Sequence, residues 1–226
     1  MPVRGLYDCY MDEHAALMAE IEAEMRDTAR WTGRATLSPR VTAALAKVRR
    51  EAFVPPRSTD AAYANRPLPI GHGQTISQPF VVALMTELLD LEPDDRVLEV
   101  GTGSGYQAAV LAAVVGTVFS IEVIPELARS AMAALAGEGC ANVALRTGDG
   151  GLGWPEHAPF DAIIVTAAAP DIPPALIEQL RLGGRMVVPV GPPHGDQDLT
   201  LLTKDTAGKV TRCNILPVAF VPLTGG

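Results

Sequence analysis

The sequence predicts an α/β fold: a mostly parallel sheet covered on both faces by helices, closed by an antiparallel hairpin and preceded by N-terminal helices. Three observations carry this expectation. From residue 96 onward, apolar runs of strand length alternate with helix-compatible segments, and that alternation implies parallel strands with helices over both faces. The first run, Arg96 to Val100, leads directly into Gly101-Thr102-Gly103-Ser104-Gly105, a tight turn before an alanine-rich helix. After the last strand–helix unit come two more extended runs separated only by a turn.

Each element has its own local warrant. In residues 12–30, Leu17, Ile21, Met25 and Ala29 recur at i, i+4 spacing, which makes an amphipathic helix. Ser38 followed by Pro39 is a cap and first-turn signal, and it opens a second helix with Val41, Ala44, Leu45 and Val48 inward. Phe53 to Gln78 is a long segment interrupted by prolines and glycines. Loops of that length inside a compact domain are usually functional or disordered. This one ends in Gly71-His72-Gly73-Gln74-Thr75-Ile76-Ser77-Gln78-Pro79 and runs straight into a helix with Val81, Leu84, Met85, Leu88 and Leu89. It reads as an ordered loop that leads into a site.

Strands are expected near 96–100, 117–122, 142–147, 160–166 and 185–190, with helices near 105–115, 125–136 and 173–181, the last closed by Gly183-Gly184. Leu199–Thr203 and Val210–Val221 then form a hairpin around Ala207-Gly208. Residues 1–52 are an N-terminal helical segment, and 53–226 form the main unit of one compact body. The order of the last two strands does not follow from the pattern.

Composition narrows the function. The chain has 226 residues, a net charge of −8 and no lysine- or arginine-rich run, with a pI of about 5.0. Nucleic acid and anionic membrane surfaces are therefore poor partners. Cys9, Cys140 and Cys213 are odd in number and widely spaced, which suits a reducing cytosol rather than a disulfide frame or a zinc site. Met1 to Tyr10 lacks an apolar signal core. The longest mostly apolar stretch, 108–121, is short and broken by Gly116 and Thr117. A soluble, cytoplasmic, monomeric protein is expected.

The glycine turn carries the chemistry. A strand, a glycine turn and a helix start let backbone approach a ligand where a side chain would block it. Glu122 ends the next apolar run, about where a second strand delivers a carboxylate to a ribose diol. The spacing is Gly-x-Gly-x-Gly, with Tyr106 where a dinucleotide motif would place its third glycine. This favours an S-adenosylmethionine pocket over a nicotinamide one. Together with the closing hairpin it predicts a class I methyltransferase, a Rossmann-like sheet of seven strands. A glycine-rich turn with no ligand is the plainer alternative. A hydrolase elbow around Ser104 would need glycines at 102 and 106, where the chain has Thr102 and Tyr106. No Gly-Lys-Ser/Thr phosphate loop is present. His14, His72, His157 and His194 share no metal-ligand spacing, so no metal is expected; His72 alone neighbours the expected site.

Several segments appear in order: Phe53-Val54-Pro55, Pro67-Leu68-Pro69-Ile70-Gly71, Gly73-Gln74-Thr75-Ile76-Ser77-Gln78-Pro79 and Val97 to Gln107. Gly148-Asp149-Gly150, Gln179 to Gly191 and Phe220-Val221-Pro222-Leu223 follow. From about residue 39 to the C-terminus the chain resembles the bacterial protein-L-isoaspartate O-methyltransferases. Many methyltransferases share the glycine motif, whereas the Gln-Thr-Ile-Ser-Gln-Pro segment is specific. The resemblance implies methyl transfer from S-adenosylmethionine, leaving S-adenosyl-L-homocysteine, to the free α-carboxyl of L-isoaspartyl residues in damaged proteins and peptides. The ester then collapses to a succinimide that hydrolyses partly to normal aspartate.

The same resemblance implies roles. Ser77 orients the substrate carboxylate; on spacing alone it reads rather as a cap for the helix opening at Gln78-Pro79, and the resemblance reverses that. Thr75 and Ile76 form the wall between cofactor and substrate, or merely a β-branched extended pair. Gly101, Thr102, Gly103 and Glu122 hold the cofactor, although Glu122 alone reads as a solvated strand-end charge. Asp149 and Gly150 flank the adenine or make an Asp-Gly turn. Val221 and Thr224 belong to a segment folded over the site, with Val221 offering backbone to the substrate. Two rival functions remain: a methyltransferase of the same fold acting on a small molecule, which would not need the 73–79 segment, and a cofactor-binding scaffold without turnover.

Overall fold

The computed structural model describes residues 6–193 and 195–225, with side chains from Glu13 onward. His194, the Cys9 side chain and the chain ends fall outside the described residues. Helices α1 (Leu6–Thr32) and α2 (Pro39–Lys47) come first, followed by two short 3₁₀ turns, Arg50–Phe53 and Pro56–Ala61. A two-stranded antiparallel ribbon, β1 (Leu68–Gly71) and β2 (Gln74–Ile76), precedes α3 (Pro79–Leu88). Then come β3 (Arg96–Val100), α4 (Tyr106–Ala112), β4 (Thr117–Glu122), α5 (Pro125–Gly137), β5 (Val143–Thr147), β6 (Phe160–Val165) and α6 (Pro174–Gln179). The chain closes with β7 (Leu180–Val190), β8 (Gln197–Lys204) and β9 (Val210–Val218).

The large sheet has seven strands in the order β5-β4-β3-β6-β7-β8-β9. β3 to β7 are parallel; β8 runs antiparallel to β7, and β9 antiparallel to β8. The order left open by the sequence is thus a meander, with β9 at the edge. The expected class I architecture, with its closing hairpin and N-terminal helices, is what the chain forms. Because strand side chains alternate between faces, Val97 joins a core with α1 to α4, while Leu98 and Val100 join a second core with Leu176 of α6. Among the described residues no helix is long and apolar enough to cross a membrane.

Two boundaries differ from the sequence reading. The first helix is longer than 12–30, starting at Leu6. The helix expected over 173–181 ends at Gln179, and Gly183-Gly184 do not close it. β7 has already begun at Leu180, which pairs with Phe160; the next pair is Ala162 with Arg185. The residues between bulge out of the ladder, with Gly183 at φ +78°. A helical pattern followed by glycines looks like a cap, but pairing with β6 captures the chain earlier.

The 53–78 segment is ordered around one buried cation. Arg50 is fully buried, and its guanidinium donates to the carbonyls of Ala62, Arg66 (3.3 Å) and Ser77 (2.9 Å). Burial lowers its pKa to about 10, so it stays charged at neutral pH. Among the described residues no carboxylate pairs with it; the carbonyls of the loop do. Arg50→Met keeps the bulk and strands those carbonyls, and it is expected to cost about 3 kcal/mol. A denaturant midpoint shifted down at unchanged m-value would register it.

Candidate active site

The strand order reverses between β3 and β6: β4 and β5 extend one way from β3, and β6 begins the other half. Ligands of open α/β sheets sit outside the carboxyl ends of the strands at such a point. Here those ends are Gly101–Gly105 after β3, Glu122 closing β4, Gly148–Gly150 after β5, and Thr166-Ala167 after β6. From these ends Gly101 to Ser104, Glu122, Gly150, Thr166 and Ala167 line a cleft together with Thr75, Ile76, Ser77 and the tail residues Val221 and Thr224.

The glycine turn is shaped by what it touches. The Gly101 N–H donates to Ile121 O at 2.8 Å, and Gly101 sits at φ +97° with Thr166 Oγ1 only 2.5 Å from where a Cβ would stand. No other residue fits there. A Cβ on Gly150 would lie 2.4 Å from Val100 Cγ1. Glu122 is buried, and both of its carboxylate oxygens accept from backbone: Gly103 N–H at 2.7 Å and Ile124 N–H at 2.9 Å. It is therefore no solvated strand-end charge. Each oxygen keeps acceptor capacity for a further donor. The backbone cradle and this half-used carboxylate fit an adenosyl cofactor with a ribose diol.

Beneath the turn, Thr102 Oγ1 and Ser120 Oγ lie 2.5 Å apart, and Ser120 donates to Glu99. Glu99 is fully buried. Burial pushes its pKa up to about 8; the Ser120 hydrogen bond opposes this and the Glu122 charge adds to it. The other oxygen of Glu99 has no partner among the described residues.

Ser77 lies where this cleft meets a second groove, because Thr75, Ser77, Thr166 and Val221 line both. The helix after it starts at Pro79 with Gln78 in the cap position and no side-chain cap bond. The Ser77 backbone carbonyl is held by Arg50 at 2.9 Å. Among the described residues its hydroxyl makes no hydrogen bond to either the helix or the loop. Ile76 is buried in the core while also bordering the cleft; Thr75 is exposed between the two cavities.

Asp149 caps the short turn that follows it, accepting from Gly151 N–H at 2.8 Å; Gly150, not Asp149, lines the cleft. The tail is pinned in two steps. Buried Gln197 bonds both the N–H and the carbonyl of Phe220. Ala168 N–H then donates to Val221 O at 2.8 Å, and Leu223 N–H to Ala168 O at 2.7 Å. Val221 and Thr224 reach the cleft by this route.

The sequence reading missed Thr166, whose hydroxyl bonds the carbonyls of Val100 and Gly101; its place at a strand end beside the switch point is the signal that would have found it. It also missed Glu24, an α1 residue on the second groove, which carries no motif. His72 sits exposed in the β1–β2 turn outside the cleft. His157 stacks on Phe119 at 4.4 Å. Among the described residues no cluster of His, Cys, Asp or Glu suits a metal ion.

Residues 24–226 match the family described as protein-L-isoaspartate(D-aspartate) O-methyltransferase. The chain is 55% identical over 219 residues to protein-L-isoaspartate O-methyltransferase 2 of Syntrophobacter fumaroxidans, spanning 97% of this chain and 89% of that one. It is 56% identical over 209 residues to protein-L-isoaspartate O-methyltransferase 2 of a Polaromonas species, spanning 92% and 99%. A solved structure called protein-L-isoaspartate O-methyltransferase superposes with a TM-score of 0.76 at 29% identity, over 92% of this chain and 66% of that one.

The Glu99 carboxyl yields a pH signature. Its folded pKa, about 8, lies above its ordinary value of 4.5. Below 4.5 both folded and unfolded states hold the proton; as pH rises toward about 8 only the folded state does, and stability falls across that window. Glu99→Gln keeps an acceptor for Ser120 without the titration. Denaturant midpoints followed from pH 5 to about pH 8 are expected to decline less in this variant than in the parent; parallel declines would exclude Glu99 as their source.

Proposed function

The chain belongs to the protein-L-isoaspartate(D-aspartate) O-methyltransferase family, and on that premise we propose that it methylates the free α-carboxyl of L-isoaspartyl residues in damaged proteins and peptides. The observation that carries the proposal is the uncommitted Ser77 hydroxyl where the glycine cleft opens into the second groove. Bound in the glycine cleft, S-adenosylmethionine supplies a methyl group already activated on a sulfonium. Everything else falls to the protein and the substrate.

Gly101, Thr102 and Gly103 present backbone to the cofactor, and Glu122 accepts from its ribose hydroxyls. Gly150 would border the adenine, with Asp149 holding the turn behind it. Thr75 and Ile76 separate cofactor from substrate, and Thr224 covers the cofactor side. Ser77 donates its hydroxyl proton in a hydrogen bond to one oxygen of the substrate carboxylate, and Val221 offers the peptide its N–H, since its carbonyl is taken by Ala168.

A carboxylate is a nucleophile at pH 7 without help, so no general base is required. The chain's contribution would be to hold the substrate oxygen against the bound cofactor and to keep water away. The net charge of −8 opposes an anionic substrate only weakly, because salt screens it within about 8 Å. We read residues 53–226 as the methyltransferase unit and 1–52 as its helical addition, acting as a cytoplasmic monomer with no nucleic-acid or membrane partner.

The test is methyl transfer from labelled S-adenosylmethionine to two peptides that differ only in isoaspartate against aspartate. Base-labile label on the isoaspartyl peptide alone is expected; label on neither, with cofactor bound, would redirect the function to another acceptor. Ser77→Ala is expected to lower turnover by about tenfold or more while cofactor affinity stays close to the parent; equal losses in both would make Ser77 structural. Glu122→Ala, by contrast, is expected to weaken cofactor binding first, and unchanged affinity in calorimetry would remove it from the ribose.

A further inference from the structure

The second groove, which opens from Ser77, is walled mostly by apolar groups, among them Pro67, Phe80, Val81, Pro217 and Val218. Among the described residues one acidic side chain lines it: Glu24, from the middle of α1. Its carboxylate is held by two neutral amides. Asn65 Nδ2 donates at 2.9 Å and Gln78 Nε2 at 3.3 Å. The Asn65 amide can turn no other way, because its oxygen accepts from the Phe80 N–H at 3.0 Å. Among the described residues no lysine, arginine or histidine forms an ion pair with Glu24. Burial raises its pKa, the Asn65 and Gln78 hydrogen bonds oppose this, and the charged groups that act on it, Asp27 and Glu20, are acidic.

A half-buried carboxylate beside apolar walls has lost part of its hydration and has no counter-charge. Two neutral amides fix its direction without neutralising it. The groove is continuous with the reacting position: Gln78, which bonds Glu24, is the neighbour of Ser77 in the chain. An extended peptide rises roughly 3.3 Å per residue. A substrate whose isoaspartyl carboxyl meets Ser77 therefore lays its flanking residues along the groove that Glu24 lines.

We propose that Glu24 is a specificity residue: the groove between α1 and β9 holds the chain flanking the isoaspartyl site, and Glu24 selects a lysine or arginine there over an acidic residue. This rests on the isoaspartyl reading of the reaction. It gives α1 a role in substrate choice, beyond the packing of Leu17, Ile21 and Met25 into the core.

The test uses isoaspartyl peptides identical except for lysine, norleucine or glutamate at each of the two positions on either side of the modified residue. For the parent enzyme, kcat/KM is expected to favour lysine over glutamate by about fivefold or more at one of these positions. Glu24→Gln should bring that ratio close to one, and Glu24→Lys should invert it. Taking the ratio within each enzyme cancels any general loss from disturbing α1. Equal ratios in all three proteins, or no preference in the parent, would overturn the proposal. If the parent fails to methylate even the norleucine peptides, the isoaspartyl reading falls and this inference with it.

Discussion

The site depends on a buried guanidinium that has carbonyls, not a carboxylate, for company. Arg50 ties the turn after α2 to Ala62, Arg66 and Ser77, three points of a segment that lacks a sheet of its own beyond a short ribbon. Loops of this length ordinarily stay at the surface because their backbone groups need water. Arg50 supplies donors in water's place, so the segment can pass under α1 and deliver Ser77 to the sheet. A planar fork of donors suits several carbonyls at once in a way that a lysine's point charge does not.

Opposite charges have to meet in this cleft, and the structure keeps their hosts apart. Carboxylates lie on the cofactor side: Glu122 bound by backbone N–H groups, Glu99 buried below and biased toward its neutral form. On the proposed reading a cationic sulfonium would be tolerated next to that side. The Ser77 side offers a hydroxyl and backbone, and among the described residues no lysine or arginine side chain lines the glycine cleft. A fixed cation there would repel the methyl donor, whereas a neutral donor orients an anion at little cost to its partner.

What the sequence disclosed follows the range of the physics involved. The glycine turn was legible because close approach to Thr166 and a positive φ demand glycine at 101, and Ser38 with Pro39 was legible because a cap is local; the helix it opens starts at Pro39. The strand alternation gave the sheet for the same reason. The start of β7 was misread because residues 173–181 satisfy a helical pattern that only pairing with Phe160 overrides. The order of β8 and β9 depends on which edge pairs, a matter no local signal encodes. Arg50 and Glu24 were invisible as single polar residues on helix-compatible stretches. Their partners lie 27 and 54 residues away, at Ser77 and Gln78.

The route of the tail has a consequence for how the protein comes into being. Val221 and Thr224 reach the cleft only after β9 has paired with β8, since Gln197 of β8 pins Phe220 and Ala168 receives the strip beyond it. Synthesis runs from the N-terminus, and a domain folds as a unit. The nascent chain therefore carries its glycine turn and Ser77 well before Val221 and Thr224, the last residues to border the cleft, have been made.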